Sequence, residues 1–526
     1  MKRFKKEILL LLCAGILATA AGCSEKKEKV NTTGTGEIPE SVKIFCGVGA
    51  HAARAGAETL NDLLPFQLIE KMTGCHVEWV VPSTGTLSEK FNMLIASGNW
   101  PDMIVYNWQN VQGGVQMYAE DEVIIPLTDL MEENMPSYTK YLNENPDMRK
   151  GVTYDDGQIY YAPFIRKDKE LCVYLGPQIR RDWLDKLGLE APTNPDELYE
   201  VLKAFKTGDP NGNGENDEIP MTGAAFANVN YGIGNLLWAF DTHWDFYVKD
   251  GKITYGIAEE EFEEGLRYIA KLYEEELIDK DFLILDRGKM NAKMMNDSAG
   301  FAFSFQPTLY QTNIDDGTRR VEGIAHLQNK NGVEKCYLPH YNNRLLGTGI
   351  VITTTNENPV GSAKWIDTFY SDEGTEIMNF GQEGLTYNWV DGYPKLTDYV
   401  LNNPEKDRIS MCALNLGAYE SSFPTLQDWR YYEQTLGSWG VDAINTWKTA
   451  DSSGALPTLL FTQEESGEIA QLMTQVSTYV SENINKMAIG AESIDKLPEV
   501  REKAMKMGLE RVLEIYNDSY KRYLSK

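Results

Sequence analysis

The sequence predicts an α/β fold with a mostly parallel sheet, divided into more than one domain. Two observations set the sheet. From residue 41 to residue 106, short β-branched or alternating runs take turns with runs of helical period. The intervals between the short runs suit crossover connections rather than hairpins. The third observation is length: 526 residues exceed what a single hydrophobic core organises.

Each element follows from local pattern. Residues 41–46 (SVKIFC) alternate and read as a first strand. Residues 61–72 have helical spacing despite Pro65, and Gly74 ends that helix. Residues 76–81 (HVEWVV) form a second strand, 87–96 a helix and 102–106 a third strand. Ligands in such sheets bind beyond the carboxyl ends of the strands. The segments after Cys46, Val81 and Tyr106 therefore border a cleft. Residues 123–129 enter a helix capped by Thr128 or Asp129, and 157–163 read as a strand ending in proline, suited to a first crossing between lobes. Residues 179–187 are helical up to Gly188, and another helix covers 197–205. Residues 259–276 carry an apolar stripe of Phe262, Leu266, Ile269, Leu272 and Tyr273, leaving the acidic run as a solvated face. Residues 359–370 and most of 498–524 are helical as well.

The amino end reads as an export signal. Met1 to Lys6 is basic, residues 8–17 are almost wholly apolar, and Ala18 to Gly22 are small, with Cys23 next. That apolar run is too short for a spanning helix, which takes about 20 residues. Residues 24–36 are polar, charged and glycine-bearing, and read as a flexible tether. The net charge is −28, from 78 acidic and 50 basic residues, which argues against nucleic acid or any generic polyanion as partner. Cys46, Cys75, Cys172, Cys336 and Cys412 are odd in number and lack C-x-x-C spacing, so neither a disulfide framework nor a zinc site is expected.

The clearest chemistry lies at Asp209-Pro-Asn211-Gly-Asn213-Gly214-Glu215-Asn-Asp217-Glu218. Oxygen side chains stand at positions 1, 3, 5 and 9, and glycine at position 6 permits the sharp turn. A hard cation such as calcium fits this pattern; so does a plain Asn/Gly-rich turn. Position 12 is Pro220, where an EF-hand would carry glutamate. A small-molecule cleft is expected to combine flat aromatics with a few polar partners. Tyr106 and Trp108 follow the third strand; Trp238 and Trp244 lie in an aromatic-dense stretch with Asn235, Asp241 and His243. Tyr387, Asn388 and Trp389, with Glu383 nearby, complete the ligand-binding candidates. The alternative for each aromatic is ordinary core packing. Arg54 and Arg180 are expected to form salt bridges, the alternative being a carboxylate on a ligand.

Several segments together resemble the extracellular solute-binding proteins of carbohydrate ABC importers. They are residues 96–102 (ASGNWPD), 125–129 (IPLTD), 157–160 (GQIY), 179–189 (IRRDWLDKLGL) with the Asp209 loop, 272–278 and 381–395. The nearest branch is similar to the LplA-like and alginate-oligosaccharide binding lipoproteins. The resemblance implies two α/β lobes with sugar held between them, no catalysis, and a monomer that delivers an oligosaccharide to permease subunits. It implies lobe 1 at 41–163 and 346–400, lobe 2 at 164–345, and a mainly helical 401–526 returning to lobe 2 and the hinge. It also closes the calcium loop early, with side chains of Asp209, Asn211, Asn213, Asp217 and Glu218 and the carbonyl of Glu215 as ligands. Residues 18–23 resemble the lipobox of bacterial lipoproteins, with Ala20 where leucine is usual. That implies cleavage after residue 22, a lipid on Cys23, a tether over 23–40, and a place on the outer face of the cell membrane. Ordinary secretion is the alternative. Two other functions compete: a secreted carbohydrate-active enzyme (glycosidase or lyase) and a ligand-presenting subunit of a sensor kinase.

Overall fold

The computed structural model describes residues 36–305 and 321–526, apart from positions 84, 110, 112, 229, 342 and 421. The signal, Cys23 and the tether as far as residue 35 lie outside the described residues. In chain order the strands are β1 (Ser41–Phe45), β2 (His76–Val80), β3 (Met103–Asn107), β4 (Ile124–Ile125), β5 (Ala162–Arg166), β6 (Leu175–Arg180), β7 (Ile219–Met221), β8 (Phe246–Lys249), β9 (Lys252–Tyr255), β10 (Ala299–Phe305), β11 (Val321–Gly323), β12 (Leu345–Thr353), β13 (Tyr387–Val390), β14 (Tyr393–Leu396) and β15 (Leu426–Gln427).

They make two main sheets. The first runs β15-β5-β12-β3-β1-β2, with β4 also on β12; the second runs β11-β6-β10-β7. Strands β1, β2 and β3 pair in parallel, as their spacing predicts, while the long β12 returns antiparallel between β3 and β5. The first sheet is covered on one face by the core around Phe66, Trp365 and Phe369 and on the other by Phe91, Trp108 and Tyr118. The second sheet has its own core, built on Trp183, Phe205, Leu266 and Trp447. Separate cores with few crossings are how two bodies keep independent stability.

Local chemistry explains the element ends. Pro65 is accommodated in the first turn of the helix Leu64–Thr73, where no N–H is needed. Gly74 closes that helix at φ +71, and its N–H donates to the Glu70 carbonyl at 2.8 Å. Residues 179–180 depart from the helical reading. They end strand β6, paired with β10 and β11, and the helix begins at Arg181. The strand wins because Ile179 and Arg180 are both buried between neighbouring strands, which a solvent-flanked first turn would not allow. The strand near residue 160 falls later than its pattern suggests, at Ala162–Arg166, with Pro163 inside it. All five described cysteines are buried and free, and burial pushes the Cys75 thiol up to about 12.

Candidate functional site

Three segments pass between the two bodies. The first leaves β5 at Arg166 and enters β6 at Leu175. The second returns through the short helix Pro339–Tyr341 to β12, and the third leaves β15 for the helix Trp429–Trp447. Backbone bonds tie them side by side: Arg166 N donates to the Arg344 carbonyl at 2.8 Å and Lys167 N to the Gln427 carbonyl at 2.9 Å. The Trp429 N–H donates to the Asp168 carboxylate at 2.8 Å. Such paired crossings suit a hinge, because a few residues absorb the rotation while each core stays intact.

An aromatic ladder stands at this crossing. Tyr174 stacks on Phe305 at 5.2 Å and on His340 at 4.4 Å between ring centres. Tyr231 leans on Phe305 at 5.7 Å. The Arg166 guanidinium lies 4.8 Å from the Tyr174 ring centre, and Arg287 sits 5.1 Å over Phe305. Burial, with Arg166 beside it, pushes the His340 pKa down to about 3 and keeps the ring neutral. Phe305 ends β10, so its place at the carboxyl end of a strand was open to sequence reasoning, but Arg166, Tyr174 and His340 were missed. No local pattern marks them, because only the crossing brings positions 166, 174, 305 and 340 together.

In the first body, Glu420 closes the amino end of the short helix Ala50–Arg54. Its carboxylate accepts from His51 N at 2.7 Å and from Ala52 N at 2.8 Å. Near the carboxyl end of β3, Tyr106 stacks on Phe91 at 3.8 Å, and Trp108 is 0 % exposed beneath Phe91 and Tyr118. Trp238 is 2 % exposed, donating its indole N–H to His243 Nδ1 at 3.1 Å within the second core. Burial pushes the His243 pKa down to about 3. Trp244 is half-buried against the same core, edge-on to Tyr255 at 6.5 Å. In this conformation Trp108 and Trp238 therefore offer no free ring face. Tyr387 is buried, with its hydroxyl on Glu376, while Asn388 and Trp389 are exposed on the β13–β14 hairpin and Glu383 is exposed in the turn before it. Trp389 is 42 % exposed. Arg54 faces Asp407 at 3.9 Å, and Arg180 is buried between Asp182 and Asp297.

The Asp209–Glu218 loop is a distinct region. Asp209 Oδ1 accepts from Gly212 N at 2.9 Å and its Oδ2 from Gly214 N at 3.2 Å. Asn213 Oδ1 accepts from Glu215 N at 2.7 Å, and the amides of Asn211 and Asn213 both reach Asp217. Glu218 is 8 % exposed, and neither carboxylate oxygen has a hydrogen-bond partner. A buried carboxylate with both oxygens unanswered is costly unless a cation meets it. Among the described residues no cluster of three His, Cys, Asp or Glu side chains is gathered as a metal site, so any site in this loop draws on asparagine and backbone oxygens.

Comparison with known proteins defines the class. Residues 56–376 match the bacterial extracellular solute-binding protein family, and the chain belongs to it. The family is one of binding proteins and is non-catalytic. The chain is 28 % identical over 557 aligned residues to the fructooligosaccharide ABC transporter substrate-binding protein FusA of Streptococcus pneumoniae, spanning 99 % of this chain and 98 % of FusA. It is 25 % identical to the lipoprotein LipO of Bacillus subtilis, over 74 % of this chain and 75 % of LipO. Among solved structures, FusA in complex with kestose superposes with a TM-score of 0.75 at 26 % identity, covering 92 % of this chain and 99 % of that one. FusA is also solved as an EF-hand mutant with fructo-nystose. The alginate-binding protein AlgQ2 without calcium ion shares the fold, with a TM-score of 0.72 at 23 % identity over 93 % of this chain and 100 % of that one.

Proposed function

We propose that this extracellular solute-binding protein captures an oligosaccharide between its two lobes and delivers it to the permease subunits of an ABC transporter. The observation that carries this reading is the hydrogen-bonded triple crossing, with its aromatic ladder, between two independently cored α/β bodies. Flat rings suit the C–H faces of sugars, and closure of the lobes around a ligand shifts the open–closed equilibrium. Full-length similarity to FusA supports an oligosaccharide as the cargo. One lobe takes residues 41–166 and 345–427 and the other residues 175–305, 321–323 and 429–526, following the sheets and, after residue 427, the second core. The exposed Trp389 hairpin, with Glu383 and Asn388, remains a candidate for sugar contact, as does Tyr106.

We further propose that the Asp209–Glu218 loop holds a structural calcium, with Glu218 as its buried carboxylate and Asp209, Asn211, Asn213, Asp217 and the Glu215 carbonyl as the remaining ligands. The unanswered oxygens of Glu218 support this, as does the EF-hand of FusA. A cation would draw the asparagine oxygens inward by amide rotation. A lipid on Cys23 would hold the protein at the outer face of the membrane, and the lipoprotein LipO supports that placement.

Thermal unfolding of residues 24–526 against a glycan panel, with calcium and with chelator, tests both readings. A ligand bound only by the native state at a hundredfold excess over Kd adds about 2.7 kcal/mol. Stabilisation by a glycan class is expected, together with a lower midpoint in chelator that calcium restores. Stabilisation by peptides alone would move the cargo to another class. A midpoint indifferent to chelator would remove calcium from the loop.

A further inference from the structure

The third crossing is broken inside. The helix Trp429–Trp447 runs from β15 into the second body, yet Gly437 within it sits at φ +72 and ψ +170. That backbone region is open to glycine and essentially closed to every other residue. Among the described residues of the other two crossings, 166–175 and 339–345, no backbone has a positive φ. The break therefore marks this crossing alone.

The two half-helices are bonded to different bodies. In the first half, Tyr431 is buried among Phe164, Phe380 and Leu396 of the first body, and its hydroxyl donates to the Ala418 carbonyl at 3.0 Å. Gln434 grips β14 by two bonds: its Nε2 donates to the Pro394 carbonyl at 3.0 Å, and its Oε1 accepts from Leu396 N at 2.9 Å. The Tyr393 hydroxyl, also on β14, reaches Glu433. In the second half, Ala443, Ile444 and Trp447 are buried in the second core. Trp447 lies on Gly176 of β6 and Ala443 on Gly323 of β11, so closely that a Cβ on either glycine would meet them at 2.5 and 2.6 Å. The Trp447 indole N–H is shared between the carbonyls of Pro177 at 3.2 Å and Ile324 at 3.0 Å. Trp429, Tyr432 and Leu436 of the first half also touch the second core. Those contacts are apolar and non-directional, so they tolerate sliding, whereas the paired bonds of Gln434 hold one geometry. Sheet pairing ends the first body at residue 427, but these bonds carry it on to residue 436.

We propose that Gly437 is the pivot of the third crossing. Residues 429–436 travel with the first body and residues 438–447 with the second, and rotation of the lobes is taken up by the Gly437 backbone. Hinges of this kind confine a large φ/ψ change to very few residues, and glycine has the widest φ/ψ freedom to supply it. Gly437 is thus a positioning residue for capture. The inference deepens the capture reading by naming where the lobes turn. Because Gln434 ties the β13–β14 hairpin to the first half-helix, the angle at Gly437 also sets how far Trp389 stands from the second body.

The test is a spin-label distance measurement on ligand-free residues 24–526, with Lys71→Cys in the first body and Lys203→Cys in the second. Both positions are exposed, while the five native cysteines are buried and stay unlabelled. Alanine favours the right-handed helical region and joins the two halves into one helix. Gly437→Ala is therefore expected to shift the mean separation by several ångström and to narrow its spread. The same mean and spread in a folded Gly437→Ala protein would overturn the pivot. Should that variant fail to fold, hydrogen exchange of the unaltered protein decides. In dilute denaturant, residues 429–436 are expected to lose protection with β14, and residues 438–447 with β6. Loss of protection by both halves together would overturn the pivot as well. Neither readout needs a sugar, so the pivot and oligosaccharide capture stand or fall separately.

Discussion

Arg180 and Arg166 end neighbouring stretches of chain and look alike in sequence, yet they sit in opposite electrostatic situations. Each is buried against an aromatic ring: Arg180 lies 5.1 Å from Trp183 and Arg166 lies 4.8 Å from Tyr174. Arg180 donates Nε to Asp182 at 2.7 Å, and Asp297 takes another N–H of its guanidinium. These partners push the Arg180 pKa up against the opposing effect of its own burial. Among the described residues no carboxylate bonds the buried Nε and Nη1 of Arg166. The first arginine is held by the carboxylates of its lobe; the second is held by burial and ring contact.

The contrast has consequences of graded size. Arg180→Met leaves Asp182 and Asp297 without their cation, and should cost about 3 kcal/mol in urea unfolding. Arg166→Met removes a buried charge, and should leave the unliganded protein as stable as before or about 1 kcal/mol more so. Equal losses in the two variants would mean that Arg166 has a structural partner after all.

Asp245 offers a smaller test with the sign reversed. Burial raises its pKa to about 6, opposed only by the bond from Phe246 N at 2.8 Å. A folded pKa above the unfolded value of about 3.9 means that the favourable contribution is present at low pH and is lost as pH rises through 6. Asp245→Asn should therefore stabilise the protein by roughly 2 kcal/mol at pH 7.5 and make no difference near pH 3.5. A constant difference across that range would show that the carboxyl is not titrating in the folded state.

The smallest effect concerns the seam between the bodies. Arg522, on the carboxyl-terminal helix Glu510–Ser525, lies 2.7 Å from Asp155, and Lys526 lies 3.1 Å from the same carboxylate. Asp155 precedes β5 in the first body, whereas that helix packs on β9 and the second core through Asn517 and Val512. Partly exposed pairs contribute little, so Asp155→Asn should lose about 0.5 kcal/mol, and the loss should fade at high salt. A loss that persists in 1 M salt would point to packing instead of charge.

How much of this was legible depended on whether partners are close in sequence. The parallel β1–β2–β3 unit showed in its strand and helix periods, because alternation and a helical stripe are local properties. The tight turn at Asp209–Glu218 was legible for the same reason: its side-chain oxygens cap backbone N–H groups within ten residues of one another. The aromatics were harder. Trp108, Trp238 and Trp389 differ in exposure from 0 % to 42 %, and nothing in their own neighbourhoods announces which face is covered. Covering residues such as Phe91 or His326 come from other segments. The crossing around Arg166 was invisible because positions 166, 174, 305 and 340 meet only in the fold. The helical reading of residues 179–180 failed because pairing with β10 and β11, more than a hundred residues away, overrode a local helical pattern.

The central claim is capture without chemistry, and one experiment addresses it directly. Titrate the oligosaccharide that most raises the unfolding midpoint into residues 24–526, then recover the sugar and separate it by chromatography after long incubation. The account predicts one sugar bound per chain and the same sugar recovered intact. Shorter fragments or an unsaturated product would contradict it, and would make the cleft an active site.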